Sequence, residues 1–267
     1  MIYSLMAFLI WGLSPLYWKM FSSVDDLSIL FWRCVSSLAV VVAAILITKK
    51  KIKIKPKLWD VIATVLLLAN WYGYVYAVNQ GHAVEAGLGY FLAPIMSLGL
   101  GFFFFEEKVS FLQMFCGFIV AISIMLSIDG MSVLYSVGIA VTFAAYAVAK
   151  KKAPTDLLDG YLFEMIVATM TVPFISTSVL KLPSWNLGLT SGLMTIIPLM
   201  LYVKALKSTA MQNVNSLQFL APSLNVAIGV FYFGEALTVQ QMSSYSAIIV
   251  CSLIITMSTY LASKKSA

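Results

Sequence analysis

Residues Glu85–Glu107 read "EAGLGYFLAPIMSLGLGFFFFEE", and residues Asn213–Glu235 read "NVNSLQFLAPSLNVAIGVFYFGE". At a constant offset of 128 residues, Phe91-Leu92-Ala93-Pro94 falls on Phe219-Leu220-Ala221-Pro222, and Gly101, Phe103, Phe105 and Glu107 fall on Gly229, Phe231, Phe233 and Glu235. One apolar helix with a central proline is used twice. Proline lacks an N–H and clashes with the preceding turn, so Pro94 frees the carbonyl of Tyr90 and Pro222 that of Gln218. At membrane depth a freed carbonyl is tolerated only against protein or a wet cavity. Ala93, Ser97 and Gly101 recur every four residues, as do Ala221, Asn225 and Gly229, giving two narrow stripes that let another backbone approach. The two kinks either face a shared central cavity or merely curve a bundle.

Composition identifies the solvent. The chain is 61% hydrophobic and 10% charged, with a mean hydropathy of +0.94, against about 25% charged residues in a soluble domain. The apolar residues come in blocks of about 20, the length that a hydrocarbon core of roughly 30 Å demands of a helix. The pattern predicts an all-α integral membrane protein with ten spans near 2–20, 28–48, 58–79, 83–105, 111–128, 131–149, 160–180, 186–206, 210–233 and 239–262. The first block has no basic region ahead of it and contains Trp11, Pro15 and Trp18, so it reads as a span and not as a cleaved signal peptide. Asp129-Gly130 turns the chain between spans 5 and 6, and Ser110-Phe111-Leu112 restarts it after Lys108. "TKKKIKIKPK" (Thr48 to Lys57) alternates like a strand but reads as a solvated basic loop.

The lysines orient the chain. With a cytoplasmic N-terminus the inside receives Lys49, Lys50, Lys51, Lys53, Lys55, Lys57, Lys108, Lys150, Lys151, Lys152, Lys204, Lys207, Lys264 and Lys265, which is 14 of the 17 basic residues, leaving Lys19, Arg33 and Lys181 elsewhere. Asp25, Asp26 and Asp129 stay outside. This is the positive-inside pattern, and both termini are expected in the cytoplasm. The net charge of +6 therefore reports orientation, not nucleic-acid binding.

Span 4 maps onto span 9, so the repeat is five helices long, and an odd number of crossings inverts the second copy. Residues 1–130 and 131–267 are the two expected repeats. Tyr74 and Ala77 map at the same offset onto Tyr202 and Ala205, which draws in spans 3 and 8. Inverted repeats are a mark of secondary transporters, whose substrate site lies near the midplane where the halves meet.

"NWYGYVYAVNQGHAVEAGLGYFLAPI" (Asn70 to Ile95) resembles the third and fourth helices of RarD-type permeases, in the EamA branch of the drug/metabolite transporter superfamily. Asn70-Trp71, Ala77-Val78-Asn79, Glu85-Ala86 and Leu88-Gly89-Tyr90-Phe91 match that pattern, whereas Gly87 and Ala93 depart from it; the family has an asparagine before the proline. "FLIWGLSPLYWK" (Phe8 to Lys19), Arg33 and Glu164 also resemble family positions. The resemblance implies ten helices, inverted five-helix repeats and an ATP-independent carrier in the bacterial cytoplasmic (inner) membrane.

Charges within spans are costly and usually functional. Arg33, about one turn into span 2, and Glu164, about one turn into span 7, lie at comparable places on opposite sides of the membrane and are not expected to pair. Each anchors a gate at its own face or carries coupling. For Arg33, snorkelling to the interface is an equal alternative. Glu85 joins them as a gate or coupling residue. Aromatics crowd the expected cavity: Trp11, Tyr17 and Trp18, Trp71, Tyr72 and Tyr74, Tyr146, and Tyr202. Trp18 and Trp59, at helix ends, read as interfacial belt residues. Asn70 and Tyr74 share a face at a spacing of four, and a mid-span amide needs a partner. The expected substrate-binding set is Trp11, Asn70, Trp71, Tyr74, Tyr90, Tyr146, Tyr202 and Gln218, with kinks at Pro15, Pro94 and Pro222. Such walls suit an amphipathic or aromatic metabolite or drug, amino-acid-like or amphenicol-like; few fixed cations lie mid-span, which disfavours a phosphorylated sugar.

Other chemistries lack their residues. His82 and Glu85 are three apart, but no third ligand accompanies this only histidine, so no metal is expected. Asp25-Asp26 lacks the further aspartates of a prenyl-diphosphate site. "GLGY" has no following Lys-Ser or Lys-Thr, which excludes a phosphate loop and ATP hydrolysis. Cys34, Cys116 and Cys251 read as small packers. The sequence predicts a non-enzymatic, cofactor-free secondary transporter working by alternating access, with proton or counter-substrate coupling, as monomer or homodimer. An uncoupled facilitator or exchanger, a channel, and a membrane-embedded lipid-modifying enzyme are the alternatives.

Overall fold

A computed structural model describes residues 1–21, 25–80, 82–128, 130–175, 185–234 and 236–265. Glu235, Asp129 and Lys181 lie outside the described residues, as do the side chains of Asp26, Lys264 and Lys265. The elements are α1 (Ile2–Trp18), α2 (Asp26–Ile47), α3 (Leu58–Asn79), α4 (Ala83–Phe105), α5 (Phe111–Leu126), α6 (Val133–Lys152), α7 (Leu157–Ile175), α8 (Trp185–Ser208), α9 (Met211–Asn215), α10 (Leu220–Phe231) and α11 (Val239–Lys265). Eight stretches are long and apolar enough to cross a bilayer, with α9 and α10 together making one of them; α1 and α5 are shorter apolar helices, which brings the count among the described residues to ten.

Local signals start and stop these helices where the sequence provides them. Ser110 Oγ accepts from the Gln113 backbone N–H at 3.2 Å while Gln113 Oε1 accepts from that of Ser110 at 2.8 Å, a reciprocal cap for α5. Asp25 Oδ1 accepts from the Ser28 N–H at 2.9 Å and opens α2. Residue 106 ends α4 in the left-handed region (φ 55). The chain then turns Glu107 back against α9, where its carboxylate accepts from the N–H groups of Met211 (2.5 Å) and Gln212 (2.7 Å). The basic stretch at 48–57 forms an exposed loop, as its solvated reading required.

Phe102, Phe103, Phe115 and Leu253 stand exposed on the bundle exterior, whereas Asp60, Asn70, Lys150, Glu164 and Gln218 are buried. That inside-out distribution is what lipid as solvent dictates. Helices pack closely where small residues meet. At Gly192 a Cβ would strike the Ser36 backbone and come within 2.6 Å of Ser37 N, and Ser36 Oγ hydrogen-bonds Ser191 Oγ at 2.8 Å; α2 and α8 thus touch backbone to backbone. At Gly12 a Cβ would lie 2.6 Å from Leu224 Cδ1 and 3.3 Å from Ala221 Cα, so the stripe on α10 receives α1. The pairings form matched sets: α4 packs on α6 as α10 does on α1, and α3 on α6 as α8 does on α1, while α2 meets α7 and α5 meets α11.

The two proline helices differ. Helix α4 runs unbroken through Pro94. Its counterpart is interrupted at residues 216–219 between α9 and α10, just ahead of Pro222. There Leu217, Gln218 and Leu220 N–H groups bond three residues back, to Val214, Asn215 and Leu217 carbonyls at 3.3, 3.0 and 3.1 Å, the tighter 3₁₀ pattern. Thr256 on α11 donates to the Ser216 carbonyl at 2.7 Å, so a carbonyl released from the helix is satisfied by a neighbour. Asn213, Asn215 and Ser216, which favour turns over helix interiors, stand only on this copy.

Candidate functional site

A cavity of about 540 Å³ lies at the centre of the bundle. Helix α1 contributes Phe8, Trp11, Ser14, Pro15, Trp18 and Lys19; α2 contributes Ile29, Leu30 and Arg33; α3 contributes Asn70, Trp71, Tyr74, Val75 and Val78. Gly87 and Tyr90 of α4, Phe143 of α6, Thr195 and Leu199 of α8, and Gln218, Ala221, Pro222 and Asn225 around the break complete it. Lys19, Ile29, Val78 and Gly87 all belong to the helix ends opposite the lysine-rich loops, so the mouth is at that face. The side chains of Asn70, Tyr90, Phe143 and Gln218 mark its depth, near mid-span.

Arg33 is the central charge of the site. Its Nε donates to Thr195 Oγ1 at 3.1 Å, and its guanidinium lies over the rings of Trp18 (4.7 Å) and Trp71 (5.3 Å). Thr195 in turn donates to the Ser191 carbonyl at 2.8 Å. Helix α2 begins at Asp26, so Arg33 sits two turns in, not one, and lines the cavity instead of snorkelling. Trp18 likewise leaves the belt expected of it and stands against this cation.

Deeper in, Asn70 is 1% exposed; its Nδ2 donates to the Ile139 carbonyl at 2.9 Å and to Thr142 Oγ1 at 3.0 Å, and its Oδ1 accepts from Tyr90 OH at 3.4 Å. Those bonds supply the partners a mid-span amide needs and fix α3 to α6 and α4. Across the cavity, Gln218 is 3% exposed and its Oε1 has no hydrogen-bond partner among the described residues. Leaving such an atom buried and unpaired costs about 1–3 kcal/mol. Asn225, in the orientation that satisfies its amide, donates to the carbonyls of Gly12 (2.8 Å) and Ala221 (3.1 Å) and ties α10 to α1.

The lining aromatics Phe8, Trp11 and Phe143 join Tyr202 behind the wall in one cluster, with ring centroids 5.5–6.0 Å apart. Tyr202 is fully buried and donates to Asn215 Oδ1 at 2.8 Å. Closer to the lysine-rich face lies a dry ionic cluster. Lys150 Nζ donates to Glu164 Oε1 at 2.7 Å, the two side chains being 3% and 1% exposed. Tyr146 OH lies 3.5 Å from Glu164 Oε2, and Tyr161 OH donates to the Leu199 carbonyl at 2.7 Å. Asp60 Oδ2 accepts from Thr155 Oγ1 (2.6 Å) and the Lys57 N–H (3.0 Å). Lys150 Nζ and Asp60 Oδ1 both border the open side of Gly160, 3.4 and 3.9 Å from where its Cβ would be. Outside the spans, Lys50 bridges Asp156 and Asp159, and its donated hydrogen bond holds the Asp156 carboxyl below the usual carboxylate range.

Of the expected substrate set, Trp11, Asn70, Trp71, Tyr74, Tyr90 and Gln218 come together on the cavity with Pro15 and Pro222. Tyr146 and Tyr202 do not reach it: both are wholly buried among other helices. Pro94 is also off the wall, one turn past Tyr90 on α4. Glu85 stands apart, 3.3 Å from His82 Nδ1, with His82 stacked on Tyr135 at 4.6 Å. Glu164 faces Lys150, and helix α7 starts at Leu157, three residues early, because Asp156 Oδ1 accepts from the Leu158 N–H at 3.1 Å. Thr195, Asn225 and Phe143 were missed. Only Asn225 carried a signal, its place in the stripe above Gln218. No group of three or more metal-binding side chains occurs among the described residues.

Residues 1–128 match the EamA-like transporter family. The chain is 28% identical over 281 residues to the uncharacterized transporter YojE of Bacillus subtilis, covering 96% of this chain and 93% of that one. It is 26% identical over 273 residues to protein RarD of Escherichia coli, covering 95% and 92%. A solved crystal structure superposes with a TM-score of 0.77 at 18% identity over 96% of both chains, a likeness of fold alone. The resemblance read from Asn70–Ile95 therefore extends over nearly the whole chain: the protein is similar to RarD-type transporters along its length, its first 128 residues match the EamA-like transporter family, and its helices are those of a multi-pass membrane protein.

Proposed function

We propose that the protein is a secondary transporter that carries a small amphipathic or aromatic metabolite or drug, amino-acid-like or amphenicol-like, across the bacterial cytoplasmic membrane by alternating access. The observation that carries this reading is the central cavity onto which Tyr90 and Gln218 converge from equivalent positions of the repeated helix. Gln218 Oε1, buried and unpaired, offers a substrate donor the hydrogen bond that the protein withholds. Residues 1–130 and 131–267 are the two inverted halves, a reading supported by the matched packing of α4 on α6 and α10 on α1. With the lysine-rich loops cytoplasmic, both termini lie inside and the cavity faces outward. The Lys150–Glu164 pair, with Asp60 and the capping Glu107, then closes the inner side. Glu164 couples transport to protons if its protonation opens that closure; counter-substrate exchange serves the same cycle without it.

A thermal-shift screen of detergent-purified protein tests the reading, with amino acids and derivatives, nucleoside-type metabolites and amphenicols as the panel. A ligand that binds only the folded state stabilises it by about 2.7 kcal/mol at a hundredfold excess over Kd. The expected result is a shift that disappears in a folded Tyr90→Ala/Gln218→Ala variant, and uptake of the same compound into proteoliposomes that saturates. A shift that persists in the double variant moves the site elsewhere. Flux that rises without saturation makes the protein a channel.

A further inference from the structure

We propose that the cavity selects organic anions, and specifically small carboxylates with a flat apolar body, through Arg33 as a carboxylate clamp. This rests on the cavity being the substrate site. The charge inventory carries it. Among the described residues, Arg33 and Lys19 line the cavity and no aspartate or glutamate does. Among the described residues Arg33 forms no salt bridge; its one hydrogen bond spends Nε on Thr195, which leaves the two terminal amino groups without a protein partner. Glu85 and Asp25, the acidic side chains described near the same face, are engaged elsewhere, with His82 and Ser28.

A guanidinium presents a planar fork that fits a carboxylate with two parallel hydrogen bonds. Here the plane is held by Thr195 on one edge and by the Trp18 and Trp71 rings, so little side-chain freedom is left to lose on binding. An unpaired cation in a low-dielectric cavity is expensive, and a substrate carboxylate removes that cost. Gln218 Oε1, an acceptor with no donor, asks for an N–H or O–H elsewhere on the same molecule. Trp11, Trp71 and Phe143 supply flat walls for its body.

Indole-3-acetate and indole-3-acetamide separate charge from shape: both carry the ring and its N–H, and only the first is an anion. Each is titrated against wild-type protein and against Arg33→Gln and Arg33→Lys by thermal shift and equilibrium dialysis. The expected result is binding of the acid, with the amide weaker by about tenfold or more, as loss of one partner of a desolvated charge pair dictates. Arg33→Gln should abolish that preference and Arg33→Lys should restore only part of it. Equal binding of acid and amide, or an unchanged acid affinity in a folded Arg33→Gln protein, overturns the clamp; if Tyr90→Ala/Gln218→Ala then loses both compounds, the cavity remains the substrate site. Binding of neither compound to the wild type also overturns the clamp for this class of anion. Should Arg33→Gln fail to fold, the acid-to-amide ratio on the wild type decides alone.

Discussion

Consider what removing either member of the Lys150–Glu164 pair does. The atoms are 2.7 Å apart and the side chains 3% and 1% exposed, so neither charge can be rehydrated without opening the bundle. Breaking such a pair by neutralising one partner costs about 3–5 kcal/mol, whereas replacing both by groups of similar shape is close to neutral. Lys150 also shares the space beside Gly160 with Asp60. Lys150→Met therefore leaves two buried carboxylates and should fall at the upper end of that range. Glu164→Gln leaves Lys150 facing Asp60 and should fall at the lower end. The double variant Lys150→Met/Glu164→Gln should recover most of the loss, giving a coupling energy well beyond the roughly 0.3–0.5 kcal/mol scatter of independent sites. Thermal unfolding in detergent, read by size exclusion after heating, provides the four corners of the cycle. Two single losses that simply add in the double variant would refute a paired, dry cluster, as would a Lys150→Met protein more stable than Glu164→Gln.

Two further outcomes follow from the packing and the surface. Gly192→Ala should destabilise severely, because the new Cβ meets Ser36 backbone and lies 2.6 Å from Ser37 N; the same change at Gly138, where a Cβ meets nothing within 4 Å, should be tolerated, and the recovery of folded protein after detergent extraction compares them. Asp156 is held below the usual carboxylate range by Lys50, so its contribution to stability is present above its unfolded pKa and is lost as pH falls through the lower folded value. The protection of the 48–57 amides, taken as the exchange rate corrected for its intrinsic pH dependence, should accordingly hold constant down to about pH 4 and fall below it, and Lys50→Met should remove that dependence.

The span count, the repeated proline motif and the cavity position of six of the eight expected residues were legible because each rests on a pattern within one helix. Hydropathy marks the spans, the repeat marks Tyr90 and Gln218, and an amide at mid-span marks Asn70. What escaped depends on how helices rotate against one another. Tyr146 and Tyr202 are as aromatic and as mid-span as Trp71, yet their faces turn toward α7 and α9, where Glu164 and Asn215 await their hydroxyls. Trp18 was assigned by its place at a helix end, and only the arrival of α2 beside α1 puts Arg33 against it. Lys150 was counted with the cytoplasmic lysines for orientation. Nothing in the run "KKK" distinguishes its first member as the one that turns inward to Glu164.

The tetrapeptide Phe-Leu-Ala-Pro occurs twice in this fold in different settings, within continuous helix at 91–94 and at the edge of a helix break at 219–222, where Phe219 lies in the break and Leu220, Ala221 and Pro222 open α10. Identical local sequence in both settings means that its own propensities do not choose between them. The choice is made by a few neighbours, among them Ser216 and the Thr256 hydroxyl that takes its carbonyl. A ligand against Gln218 or Pro222 adds its own contacts to that choice, and it can shift the conformation only by its difference in affinity for the two states. One short sequence thus stands in two backbone settings within a single folded chain.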